Sequence, residues 1–104
     1  MTLEELSIKL KTSGLPLAYR QWPDKKAPAL PYLLYYESST DTLVADGQVY
    51  YKIVHITVEL YTKEKDLDAE AALESAMLGL HWKKPSEQYL ETEHMMMCSY
   101  EFEV

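Results

Sequence analysis

The sequence predicts an α+β domain: a mostly antiparallel sheet of about four to five strands with two helices packed on one face, in the order α-β-β-β-α-β-β. Three observations predict it. Residues 49–62, VYYKIVHITVELYT, place Val54, Ile56, Val58 and Leu60 at every second position. That period belongs to a strand with one buried face, because successive side chains point to opposite sides. Residues 95–104 repeat it, with Met96, Cys98, Tyr100, Phe102 and Val104 alternating against Met95, Met97, Ser99, Glu101 and Glu103. Two other segments carry apolar residues three and four apart behind a capping residue, as amphipathic helices do.

Taken in order, Thr2 followed by Glu5 forms a capping-box signature. Leu3, Leu6 and Leu10 then recur at helical spacing with Ile8 nearby, and Gly14 is a natural stop, so a helix is predicted over 3–13. Leu17 to Trp22, between Pro16 and Pro23, reads as a strand. The segment 23–31, PDKKAPALP, is an extended loop because proline cannot continue a helix. Tyr32 to Glu37 (YLLYYE) is a continuous apolar and aromatic run, predicting a strand buried on both faces. Ser38 to Gly47 is polar and turn-rich, and Asp46-Gly47 is the strongest turn signal in the chain. The long strand follows. After a charged turn at Lys63–Asp66, Asp66 or Asp68 caps a second helix at about 68–80, with Ala69, Ala72, Leu73, Ala76, Met77 and Leu80 as its stripe. The remainder is a hairpin: His81–Leu90, a turn at Glu91–His94, then Met95–Val104.

At 104 residues the chain reads as one domain, 1–104, large enough to bury roughly 65% of its unfolded surface without a metal or disulfide. Its lone cysteine, Cys98, has no internal partner, which fits a reducing compartment. No run reaches the ~18 apolar residues of a membrane span. The opening MTLEELSIKLKTS has early acids and no apolar core, so no signal peptide is expected and a cytoplasmic site of synthesis is. The net charge of −7, with scattered lysines, argues against a grip on phosphate backbones.

No enzyme, cofactor or metal site is expected. Cys98 lies on the apolar parity of its strand, where a thiol is buried and inert. His55, His81 and His94 lack the short spacing of zinc ligands. The run Met95-Met96-Met97-Cys98 divides between two faces of a strand and cannot converge on a soft metal. Glu59, Glu101 and Glu103 fall on polar parities. A pair of them would suit acid–base work if their strands neighbour, and exposed charge on the outer sheet face is the plainer reading. The aromatic content is distinctive: nine tyrosines and two tryptophans, with Tyr32, Tyr35, Tyr36, Tyr50, Tyr51 and Tyr61 in and around the central strands. Such residues serve as strand formers and are also enriched at protein interfaces. Together with Ile53, on the second face of the long strand, these six form the candidate interface.

Five segments spanning nearly the whole chain, TLEELSIKLKTSGLPLAYRQW, APALPYLLYY, DGQVYYKIVHITVELYTKEKD, an acidic-start helix and YLETEHMMMCSYEFEV, resemble a family of small proteins of siphophages and of prophages in Gram-positive bacteria. These lie near head–tail joining and major tail genes. The most specific segments are Ala29–Tyr32 (ALPY) and Val58–Asp66 (VELYTKEKD) leading into a helix. The chain is similar to the tail-terminator or tail-completion class, small α+β proteins that form hexameric rings capping the tail tube. Other small head–tail joining or minor tail proteins share its size and composition. The resemblance implies copies of itself, the major tail protein and connector proteins as partners, a virion location after assembly in the host cytoplasm, and DNA that passes without specific binding. Glu59, Glu101 and Glu103 are then expected to line an acidic lumen, since like charges repel DNA. A monomeric module that targets a host protein is the alternative class.

Overall fold

In the computed structural model, which describes residues 1–23 and 26–104 and the side chains of these except Val49 and Tyr50, Thr2 opens helix α1 (Leu3–Lys11). Its hydroxyl accepts from the Glu5 amide at 3.1 Å while the Glu5 carboxylate accepts from the Thr2 amide at 3.0 Å, so two otherwise orphaned donors are satisfied. Strand β1 (Leu17–Tyr19) pairs parallel with β2 (Tyr32–Ala45), which pairs antiparallel with β3 (Gln48–Thr62). Helix α2 (Leu67–Ala76) follows, capped by the Asp66 side chain on the Ala69 amide, and β4 (Lys83–Leu90) and β5 (Met95–Glu103) close the chain as a hairpin. The sheet order is β1-β2-β3-β5-β4. The expected α+β architecture and element order are those observed.

Both helices lie on one face. Leu6 and Leu10 of α1 and Ala69, Leu73 and Met77 at α2 pack with Leu33, Tyr35, Ile56, Val58, Leu60, Cys98, Tyr100 and Phe102 in one core. The strand residues are the alternate positions that period-two reading assigns to a buried face. Each fully buried Leu or Ile contributes roughly 1.5–3 kcal/mol by leaving water.

Several boundaries differ from the sequence reading, each for a local reason. The strand expected at 17–22 stops at Tyr19 because Arg20 turns to φ 67°, and the Gln21 amide bonds the Tyr19 carbonyl around it at 2.8 Å. α1 ends at Lys11 with Thr12 as its cap, and α2 ends at Ala76. The strand expected from His81 begins at Lys83. The loop expected at 23–31 lies partly outside the described residues. The largest correction concerns 38–47: Ser38–Ala45 continues β2 as strand, and only Asp46-Gly47 turns. Both turn residues have positive φ, 53° and 75°, the type I′ geometry whose twist matches paired strands. The YLLYYE segment is not buried on both faces, since Leu34, Tyr36 and Glu37 are half-buried.

Candidate functional site

Strand register decides which residues share the helix-free face. Tyr32 pairs with Tyr61, Leu34 with Glu59 and Tyr36 with Thr57; on the other side of β3, Glu59 meets Ser99, Thr57 meets Glu101 and His55 meets Glu103. Alternation continues outward through Asp41 opposite Ile53 and Leu43 opposite Tyr51. Tyr32, Tyr36, Tyr51, Ile53 and Tyr61 therefore lie on one face with Glu59, Glu101 and Glu103. Tyr35 does not. It pairs with Val58, is buried beneath the helices, and stacks edge-on against Tyr19 at 5.1 Å. Tyr50 is the extra residue of a β-bulge, and its side chain lies outside the described residues.

At the β1 end this face is aromatic. Trp22 packs edge-on against Tyr32 with ring centres 5.5 Å apart, and Tyr32 lies 5.3 Å from Tyr61. Both oxygens of the Glu59 carboxylate accept hydroxyl protons, from Tyr61 at 2.8 Å and Tyr36 at 3.1 Å. Burial first, then the bond to Glu59, pushes the Tyr61 hydroxyl well above its ordinary range; burial and the Glu59 charge raise Tyr36 too. The Arg20 guanidinium sits 5.1 Å from the Tyr36 ring centre, a cation–π distance. This arrangement fixes ring orientations: the hydroxyls hold the carboxylate, and the carboxylate holds the hydroxyls.

Further along, the His55 imidazole lies 2.8 Å from Asp41 and 3.9 Å from Glu103, while Glu101 lies 3.9 Å from Lys83. A groove of about 650 Å³ runs past Ser39, His55, His81, Lys83, Glu101 and Glu103. Glu101 and Glu103 face solvent, whereas Glu59 is partly buried between its tyrosines. Among the described residues, no group of three or more His, Cys, Asp or Glu is placed to hold a metal ion.

At its far end the face leaves the body. β5 pairs with β3 from His55 to Thr62, and the Val104 amide still bonds the Val54 carbonyl at 2.9 Å, so only from Asp41 to Ile53 does the β2–β3 hairpin stand alone as a two-stranded arm. Ser38 is the extra residue of a β-bulge at its root, a device that bends a strand and increases its twist. The molecule measures 50 × 27 × 24 Å, the long axis exceeding the others by about the ~20 Å that six extended residues span. Leu43, Val44 and Tyr51 on this arm are each about half exposed. Sequence reading passed over Leu43 and Val44, although Asp46-Gly47 between alternating β-formers is the signal of such a hairpin.

On the helix side, Glu70 is 4% exposed and ion-paired to Lys65 at 2.9 Å and Lys84 at 2.7 Å. Lys84 also reaches Glu74 at 3.1 Å, and Glu74 accepts from the Tyr100 hydroxyl at 2.7 Å. This network ties α2 to edge strand β4 and to the core.

No protein-family model matches this chain, and no curated protein matches it significantly.

Proposed function

We propose that this chain is a non-enzymatic virion structural protein of a siphophage or prophage that terminates or joins the tail, assembling with copies of itself into a ring. One observation carries the reading: a small subunit bears two unlike contact features, a helix-free face rich in tyrosine and glutamate and an arm that stands clear of the body. Closure into a ring requires two different patches related by a rotation, and the presence of two such unlike surfaces supports that reading. An isolated two-stranded ribbon is only marginally stable in water, so an arm of this length suits a chain that rests it on a partner. The nearly full-length resemblance to small phage joining proteins supplies the setting, with the major tail protein and connector proteins as neighbours. Glu101 and Glu103, the solvent-facing carboxylates of the sheet face, give a lumen that DNA crosses without adhering.

The test is to add the purified protein to polymerising major tail protein and follow tube length. Growth should stop, with the protein found at tube ends. A monomeric module directed at a host protein would leave length and ends unchanged, and that outcome refutes the reading.

A further inference from the structure

We infer that two copies of this chain pair through helix α1, the two helices lying antiparallel across a two-fold axis. Glu4 of each copy then meets Lys11 of the other over a seam of Leu3, Ser7 and Ile8. The contact joins like to like, so it stands beside the unlike patches of the ring reading and does not rest on them.

The outer side of α1 is where its amphipathic pattern breaks. The inward stripe, Leu6 and Leu10, is fully buried, yet Ile8 is 67% exposed and Leu3 37%. Both border a shallow groove of about 370 Å³, lined by Leu3, Glu4, Ser7, Ile8 and Lys11 together with the buried Tyr35. The helix positions are spaced three and four apart, so they form one continuous strip along α1. Tyr19, stacked edge-on against Tyr35 and itself 40% exposed, widens the apolar surface. An apolar strip rimmed by polar groups marks an interaction site in a way that scattered single residues do not.

Charge names the occupant. The groove is lined by one acid and one base at its opposite ends, Glu4 in the first turn of α1 and Lys11 in the last. About 10 Å of helix separates them. A two-fold axis passing between Ser7 and Ile8 runs the second helix the other way, and opposite charges then face each other at both ends. This is the reciprocity of a self-complementary interface, in which residue i meets j and j meets i. A parallel pairing would set Glu4 against Glu4 and Lys11 against Lys11. The same balance favours a copy at this surface: the whole chain carries −7, which opposes most approaches of two copies, whereas the groove lining is neutral in sum. The other charges of α1 leave the pairing intact, since Glu5 is held by the Thr2 amide at 3.0 Å and Lys9 lies outside the groove. At the crossing point Ser7 is small, which lets the two backbones approach while Ile8 packs beside it. A nine-residue helix covers less than the roughly 800 Å² per partner of a standard interface, so the dimer is weak and forms at high concentration.

A charge swap in the full chain tests the pairing. Glu4→Lys leaves two bases in the groove and Lys11→Glu leaves two acids, both at exposed positions. Sedimentation at rising concentration should show the wild type in monomer–dimer exchange. Each variant alone should dimerise about tenfold more weakly, a loss of ~1.4 kcal/mol. An equal mixture of the two should recover the wild-type level as a heterodimer, because the new base at position 4 meets the new acid at position 11 and native Glu4 meets native Lys11. Each substitution also opposes the helix dipole, so thermal melts check the fold; that cost is the same alone and mixed, and recovery does not arise from it. A wild type that stays monomeric, single variants that dimerise like wild type, or a mixture no better than its components would overturn the inference. Termination of tubes by the wild-type protein is scored separately, so a wrong contact and a wrong function give different results.

Discussion

Tyr61 donates its hydroxyl proton to Glu59, two residues earlier on the same strand, at 2.8 Å. A spacing of two puts both side chains on the helix-free face, and Tyr36 from the neighbouring strand completes the set on the other carboxylate oxygen. The two hydroxyls and the carboxylate fix one another's orientation, and a contact proposed for this face would carry a lower ordering cost for that reason.

The first prediction concerns alkaline stability. The Tyr61 and Tyr100 hydroxyls are pushed above their ordinary 10.0, by burial first and then by bonds to Glu59 and Glu74. A raised folded pKa means that the stabilisation is complete below the unfolded value and declines as pH rises past it. Stability should therefore fall above about pH 10. Tyr100→Phe should cost about 1–2 kcal/mol at neutral pH through the lost bond to Glu74 and make that decline shallower. Chemical denaturation across alkaline pH measures both.

Acid stability has the opposite sign. Burial raises the Glu70 carboxyl, but hydrogen bonds from Lys65 and Lys84 outweigh it and hold the group below its ordinary 4.5. The stabilisation is present above the unfolded value and lost as pH falls through the folded one. Glu70→Gln should destabilise by about 2 kcal/mol at neutral pH and flatten the loss below about pH 4.5. An unchanged acid limb would remove Glu70 from the account.

The arm and the core should respond differently to truncation. Leu33 is fully buried, and Leu33→Ala should cost roughly 2–5 kcal/mol. Leu43→Ser and Tyr51→Ser lie outside the core and should stay within about 0.5 kcal/mol of wild type while weakening self-association. Thermal melts paired with sedimentation at high concentration separate the two effects.

Gly47→Ala isolates the turn. A methyl group there meets no atom within 4 Å, so the cost is the positive φ of 75°, of order 1 kcal/mol. Hydrogen exchange should quicken for arm amides and leave the amides of β5 unchanged. Uniformly faster exchange would mean that the arm and body unfold as one unit.

How much of this was legible in the sequence depended on burial. β3 and β5 bury one face, so hydrophobic alternation gave both their existence and their parity; the Thr2–Glu5 box and Asp46-Gly47 fixed a helix start and a turn through local chemistry. Ser38–Ala45 buries neither face, and a ribbon without a core leaves no hydrophobic period to read. In the continuous run YLLYYE, Tyr35 could not be separated from Tyr32 and Tyr36 until pairing with β3 assigned the faces. Leu3 sat on the apparent stripe of α1, yet only Leu6 and Leu10 turn inward. The Glu70 network was hidden for another reason: its lysines come from a loop and from β4, distant in sequence.

Electron microscopy of phage particles assembled with and without this protein tests the central claim most directly. With it, tails should have one uniform length and a closed ring of subunits at the end that joins the head, arms bridging neighbouring subunits. Without it, tubes should overgrow and remain unjoined. Tails of the same length, equally joined, in both preparations would contradict the account.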